Sequence, residues 1–313
     1  MITVLSGGTG TPKLLQGLKR VVNNEKLSVI VNTGEDTWIG DLYLSPDVDT
    51  VLYTLADLIN EDTWYGVKGD TFYTHEQLKN LGFDEVLKIG DKDRALKMHK
   101  TYYIRRGYKL SEIVDMEREA LKIKAKVIPM TDDRVETKIL ANVDGKIDLL
   151  KFHDFWVKRK GDVDVLDVIY ENCLYAKPCE KSLESLEKSD LVIIGPSNPI
   201  TSIGPILSLK GIREILKDKK VVVVSPIVGN SAVSGPAGKL MKVKGYEVSI
   251  RGVYEFYKDI VDILVVDNTD KELAKELPCE VLITNTIMKT LEDKVRLAKN
   301  IIEFSGNLWN PLL

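Results

Sequence analysis

Residues 29–56, VIVNTGEDTWIGDLYLSPDVDTVLYTLA, begin as a buried β-strand and end as an apolar helix. Between the two lie six acidic or amide side chains: Asn32, Glu35, Asp36, Asp41, Asp47 and Asp49. Carboxylates crowded into one connection need neutralising, by water, by a cation or by donors of the fold. A divalent ion with a phosphate ester fits best, because hard cations take oxygen ligands and share them with phosphates. A strand that delivers such a loop at its carboxyl end belongs in an open α/β sheet, where ligands gather along that edge.

The start of the chain points the same way. Ile2–Leu5 runs into Ser6-Gly7-Gly8-Thr9-Gly10, and a helix follows with Thr11 as its cap and Leu14, Leu15, Leu18, Val21 and Val22 on its apolar face. Glycines here permit a tight turn, and the helix N-terminus adds roughly half a positive charge facing it. Lys13 stands where a dinucleotide fingerprint would carry its third glycine, and G-x-x-x-x-G-K-[ST] is absent. Gly8, Thr9, Gly10 and Lys13 therefore read as an anion-binding turn, with a plain β–α turn as the alternative.

Leu27–Val31 is the second strand, with Asn32 at its end, and Asp49 and Thr50 are placed to cap a helix over Val51–Ile59. Residues 61–181 do not continue the β–α alternation. Helices are expected around Ala95–Tyr103 and Leu110–Ile123, the second with Ser111 as cap. Val127–Met130 is a short apolar segment, and Val135–Phe152 forms a hairpin turning at Asp144-Gly145. The aromatics Trp64, Tyr65, Phe72, Tyr73, Phe155 and Trp156 read as core more readily than as a ligand platform.

From Leu183 the rhythm returns. Strands Leu191–Ile194, Val221–Val224, Ile263–Asp267 and Val281–Thr284 alternate with helices Ile206–Lys217, Lys271–Leu277 and Lys289–Phe304. The expected fold is α/β: a doubly wound, mostly parallel, Rossmann-like sheet built from residues 1–60 and 182–313, with 61–181 as a mixed α+β insertion covering the site. Two strands end in small polar loops, GPSNPITS and SPIVGNSAVSGPAGK, on the same edge as the acidic stretch. Their Ser197, Asn198, Ser202, Gly229 and Asn230 supply donors without bulk, which suits phosphates and a sugar.

The 44 basic and 47 acidic residues are well mixed, so the clustered basic face that nucleic acid requires is missing. Cys173, Cys179 and Cys279 make neither an even disulfide framework nor a C-x-x-C pair, which suits a reducing cytoplasm. No stretch approaches the ~20 apolar residues of a membrane span, and the N-terminus enters a strand with no basic leader. His75, His99 and His153 are isolated, and no G-x-S-x-G elbow occurs.

Taken in order, VLSGGTGTPKLLQGL, VNTGEDTWIGDLYLSPDVDTVLYTLA, LKIGDKD, MTDDRVETKI, GPSNPITSIGPIL and SPIVGNSAVSGPAGKLM resemble the 2-phospho-L-lactate transferase family of coenzyme F-420 biosynthesis. The resemblance implies a magnesium-dependent enzyme. It would move a 2-phospholactyl group from lactyl-2-diphospho-5′-guanosine to 7,8-didemethyl-8-hydroxy-5-deazariboflavin, releasing GMP and forming F-420-0. It also implies that Asp49 and Lys88 contact the deazaflavin, that Asp36 with Asp47, Asp49 or both holds magnesium, and that Asp36 and Asp49 are catalytic. The loops GPSNPITS and SPIVGN would line the guanosine diphosphate side, and the protein would be a cytoplasmic homodimer. Two departures stand out: the family often carries paired aspartates at Glu35-Asp36, and a proline where Arg134 follows Asp133. The competing reading is a non-enzymatic sugar-nucleotide-binding regulator of a related α/β family, with a similar glycine opening. A nicotinamide-dependent oxidoreductase is disfavoured by the missing third glycine.

Overall fold

A computed structural model describes residues 1–83 and 85–307. Its centre is a seven-stranded parallel sheet formed by β1 (Ile2–Ser6), β2 (Leu27–Val31), β5 (Lys126–Pro129), β9 (Leu191–Ile194), β10 (Val221–Val224), β13 (Ile263–Asp267) and β14 (Glu280–Thr284). The spatial order is β14-β13-β10-β9-β1-β2-β5. These strands are short apolar runs because both faces are covered. Leu5, Ile30, Ile194 and Val223 point into one core, whereas Val4, Val29, Ile193 and Val222 point into the other.

Helices α1 (Gly10–Val21), α2 (Pro46–Leu55), α5 (Leu110–Ala120) and α12 (Leu291–Asn307) close one face through Leu14, Val51, Val114 and Leu297. The other face is closed by α6 (Glu180–Glu187), α7 (Gly204–Ser208), α8 (Ile212–Lys217), α9 (Ala237–Val243) and α10 (Ile250–Tyr257), with α11 (Lys271–Ala274) beside them. A three-stranded antiparallel sheet of β6 (Glu136–Val143), β7 (Lys146–Lys151) and β8 (Asp164–Glu171) packs on that same side through Ile139, Leu150 and Val168. Two small hairpins, β3–β4 (Thr37–Ile39, Leu42–Leu44) and β11–β12 (Ile227–Val228, Ser231–Ala232), decorate the carboxyl edge. Helices α3 (Tyr73–Asn80) and α4 (Asp91–Ile104) lie in the segment between α2 and α5.

The doubly wound parallel sheet agrees with the sequence reading, and several boundaries differ. Segment 61–181 is not wholly an insertion, because β5 pairs in parallel with β2 and forms the sheet edge. Helix α2 starts at Pro46, with Ser45 at its N-cap, and not at Val51. Proline fits the first helical turn, so Asp49 lies inside the helix. Thr11 likewise lies within α1, whose cap position is Thr9, and Lys109 and not Ser111 precedes α5. The expected single helix over Ile206–Lys217 breaks between α7 and α8, where Gly211 adopts φ +89°. Among the described residues no helix is long and apolar enough to cross a membrane.

Candidate active site

In the sheet order, β2 lies on one side of β1 and β9 on the other, so the chain reverses its winding beside β1. Open α/β sheets bind ligands at the carboxyl ends of the strands at such a point. A cleft of about 400 Å³ opens there. Gly8, Thr9 and Gly10 follow β1, Glu35 follows β2, and Pro46, Asp47 and Thr50 come from the start of α2. Pro196, Ser197, Asn198, Thr201 and Ser202 follow β9, while Pro226 and Ser234–Ala237 follow β10. Two aromatic groups complete the walls: Trp64 and Tyr65 after α2, and Phe152 and Trp156 beyond β7.

The loops are fitted to one another at close range. The Ser197 hydroxyl bonds with the Thr11 hydroxyl at 2.7 Å and accepts from the Gly7 and Thr11 amides at 3.2 and 3.3 Å. That clips the glycine turn to the loop after β9. A side chain at Gly8 would collide with the Asp47 carboxylate, and one at Gly10 with the Pro196 carbonyl. The glycines are thus demanded by protein–protein approach as well as by any ligand. Asn198 has its Oδ1 occupied by the Ile200 amide at 3.0 Å, whereas its buried Nδ2 has no partner among the described residues. An unpartnered buried amide in a cleft wall suits a ligand oxygen.

Glu35 and Asp47 are the acidic side chains of the cleft wall. Burial pushes both carboxyls up, and each neighbouring carboxylate raises Glu35 further. Asp47 is raised to about 7 despite the Asn32 Nδ2 that donates to its Oδ2 at 2.9 Å. Asn32 is itself fully buried, and its Oδ1 accepts from Gly34 N at 2.9 Å. It therefore orients Asp47 and is not part of the cleft lining, in contrast to its expected phosphate contact.

The three aspartates read as metal ligands sit in three different surroundings. Asp47 faces the cleft. Asp36 lines a neighbouring cavity of about 260 Å³ on the far side of the β3–β4 hairpin, together with Thr33, Tyr43 and Arg134. Its Oδ2 accepts from Tyr43 Oη at 2.9 Å and Ser45 Oγ at 2.7 Å, and its buried Oδ1 has no partner among the described residues. Burial raises this carboxyl well above its usual range, more than those two donors lower it. Asp49 is 2% exposed and held by Lys100 at 2.6 Å and Lys97 at 3.2 Å. Burial alone would raise its carboxyl, and the two ammonium groups outweigh that and hold it below the usual range. Among the described residues no three His, Cys, Asp or Glu side chains converge to hold a metal ion.

Other expected site residues are also displaced. Asp41 is exposed and pairs with Arg105 at 2.5 Å, outside the cluster. Lys88 is exposed, its ammonium 4.1 Å from the centre of the Phe72 ring, although its neighbour Leu87 lines the cleft. Lys13 faces the Trp64 ring at 5.2 Å. Gly229 and Asn230 form the turn of the β11–β12 hairpin, with the Gly229 amide bound to Asp270, and lie outside the cleft lining. His153 lines the cleft, and burial lowers its imidazole to about 4, so it is neutral at pH 7. The sequence reading placed neither His153 nor the aromatic walls there, because their segments carry no periodic signal.

Residues 2–295 match the family described as 2-phospho-L-lactate transferase CofD. The chain is 87% identical over 308 residues to the 2-phospho-L-lactate transferase of Methanocaldococcus jannaschii, an alignment covering 98% of this chain and 99% of that one. The enzyme of the same name from Methanopyrus kandleri is 53% identical over 312 residues, 98% of each chain. Among solved structures, a UPF0052-family protein of Bacillus halodurans superposes with a TM-score of 0.66 at 19% identity, over 96% of this chain and 98% of that one. That likeness concerns the fold. On the near-complete match of family and relatives, the chain belongs to the 2-phospho-L-lactate transferase CofD family.

Proposed function

We propose that this chain transfers a 2-phospholactyl group from lactyl-2-diphospho-5′-guanosine to the ribityl hydroxyl of 7,8-didemethyl-8-hydroxy-5-deazariboflavin, with release of GMP. The observation that carries the reading is the cleft itself. Two carboxylates, the half-buried Glu35 and the buried Asp47, have no cation partner among the described residues and share it with the glycine turn and the Asn198 amide. Attack of an alcohol on a diphosphate is dominated by positioning and charge neutralisation.

Magnesium fits this donor set, since it takes oxygen ligands and needs only one or two carboxylates beside substrate phosphates. Glu35 and Asp47 would hold it, in place of the Asp36–Asp47–Asp49 set. When bound, the ion supplies positive charge to the diphosphate and the departing GMP. The chain's own groups do the rest. The Gly8–Gly10 turn at the start of α1 presents backbone to the diphosphate, and Asn198 Nδ2 is free to donate to it. Asn32 fixes the orientation of Asp47. The reading also carries a homodimer in the cytoplasm, which light scattering of the purified protein tests in part.

The test is direct. The protein is incubated with deazaflavin and the lactyl or the enolpyruvyl guanosine diphosphate donor, with magnesium or with chelator. Mass spectrometry should show GMP and the phosphodiester only with magnesium, and the preferred donor identifies the three-carbon acid. Deazaflavin and donor recovered unchanged under all conditions would overturn the reading.

A further inference from the structure

Trp64 stands in the cleft wall with φ +54°, a left-handed conformation that bulky residues rarely adopt. Such strain persists where the surroundings enforce it, and it concentrates at functional sites. Two ammonium groups meet its ring: Lys294 Nζ lies 4.6 Å and Lys13 Nζ 5.2 Å from the ring centre. Lys294 is 1% exposed and is locked from behind. It donates to Gln16 Oε1 at 2.6 Å and Glu61 Oε2 at 2.9 Å, and Gln16 Nε2 donates to Glu61 Oε1 at 3.0 Å. Residues of α1, α12 and the segment after α2 thus combine to fix one indole. The ring packs on the small apolar cluster of Tyr53, Ile59 and Val67, and the two ammonium groups add contacts to its π face that favour one ring orientation.

The sheet order assigns sides to the cleft. The glycine turn after β1 is central, and the loops after β9 and β10 lie to one side of it. Trp64, Tyr65 and Leu87 come from the segment following β2 and α2 and form a wall separate from the β9 and β10 loops in sequence. A guanosine reaching over the β9 and β10 loops leaves the β2 side for the acceptor. We propose that Trp64 is the stacking platform for the planar tricyclic ring of the deazaflavin, and that Lys294, with Gln16 and Glu61, sets the plane of the indole. The inference rests on the transferase reading and adds to it a residue that determines acceptor binding and a second that positions it.

Steady-state kinetics on Trp64→Ala, Trp64→Phe and Lys294→Met test this, alongside quenching of deazaflavin fluorescence by each protein without donor. Base–aromatic stacking is worth enough that Trp64→Ala should raise the acceptor KM and Kd at least about fivefold. Trp64→Phe keeps a ring and should cost less. Lys294→Met should raise the acceptor KM while leaving kcat and the donor KM near the wild-type values, a split that general destabilisation would not produce. Trp64→Phe and Lys294→Met keep the test open if Trp64→Ala fails to fold. Unchanged acceptor KM and quenching in the folded variants, or a rise confined to the donor KM, would overturn the inference while wild-type turnover kept the transferase reading intact. A wild-type protein that neither quenches the deazaflavin nor transfers to it would sink both.

Discussion

Asp47 and Asp49 are two residues apart in the first turn of one helix, and they meet opposite fates. Asp47 opens onto the cleft and pairs with no cation among the described residues, and burial lifts its carboxyl to about 7. Asp49 points the other way, into the space between α2 and α4, where Lys97 and Lys100 hold it below its usual range. Lys97 also pairs with Asp93, and Lys100 with Glu117 at 3.2 Å, so the cluster ties α2 to α4 and α5. An acid that the fold has neutralised serves the fold. An acid left without a counter-charge, in a cleft lined by phosphate-sized loops, is left for a ligand.

The contrast can be broken most forcefully at Asp49. Asp49→Ala leaves two buried lysines short of a partner, and removing one member of a buried ion pair costs about 3–5 kcal/mol. Urea unfolding should show that loss, and a change below about 1 kcal/mol would mean the cluster is not structural. Asp47→Asn is expected to fold normally and to lose turnover by about 100-fold or more, the scale for removing a preorganised group that meets transition-state charge. Near-normal turnover with magnesium would return Asp47 to the status of a plain helix residue. Asn32→Ala touches neither substrate nor metal in this scheme. It should lower activity by about 10- to 100-fold by freeing Asp47, a typical cost for losing an orienting partner.

The smallest effect concerns pH. Asp47 and Glu35 have carboxyls raised in the folded protein, so the folded state binds their protons more tightly than the unfolded chain. The Asp47 contribution to stability is complete below about pH 4 and is lost as pH rises through about 7, and the Glu35 contribution is likewise lost as pH rises. Asp49 has the opposite sign: its contribution is present above about pH 4 and lost as pH falls further. Without metal, Tm should therefore decline by a few degrees from pH 5 to pH 8, and Asp47→Asn should flatten that slope. Magnesium should raise Tm more at pH 8 than at pH 5.5. A slope unaffected by Asp47→Asn would show that the proton binds elsewhere.

Much of this is legible in the amino-acid sequence. The limits of β2 and of the strands Leu191–Ile194, Val221–Val224 and Ile263–Asp267 follow from it, because each is a short apolar run between polar loops. The convergence of the glycine turn, the acidic stretch and the loops after β9 and β10 followed from placing strand ends on one edge. Side-chain direction was not legible. Glu35 and Asp36 are neighbours, and the small β3–β4 hairpin sends them to different cavities. Lys97 and Lys100 look like solvated charges on an unremarkable helix, and only tertiary packing shows that they answer Asp49. β5 looks like part of an insertion in the sequence because about 95 residues separate it from β2, its partner in the sheet.

The clip made by Ser197 has a bearing on how the pocket can change over evolutionary time. One hydroxyl engages three groups of the glycine turn and the start of α1, so neither rim there can shift without dragging the other. Ligands of greater bulk would find that half unyielding. Change would instead enter through the stretch carrying Trp64 and Tyr65, outside the sheet, and a new side chain at Trp64 would have to be matched at Lys294, Gln16 and Glu61.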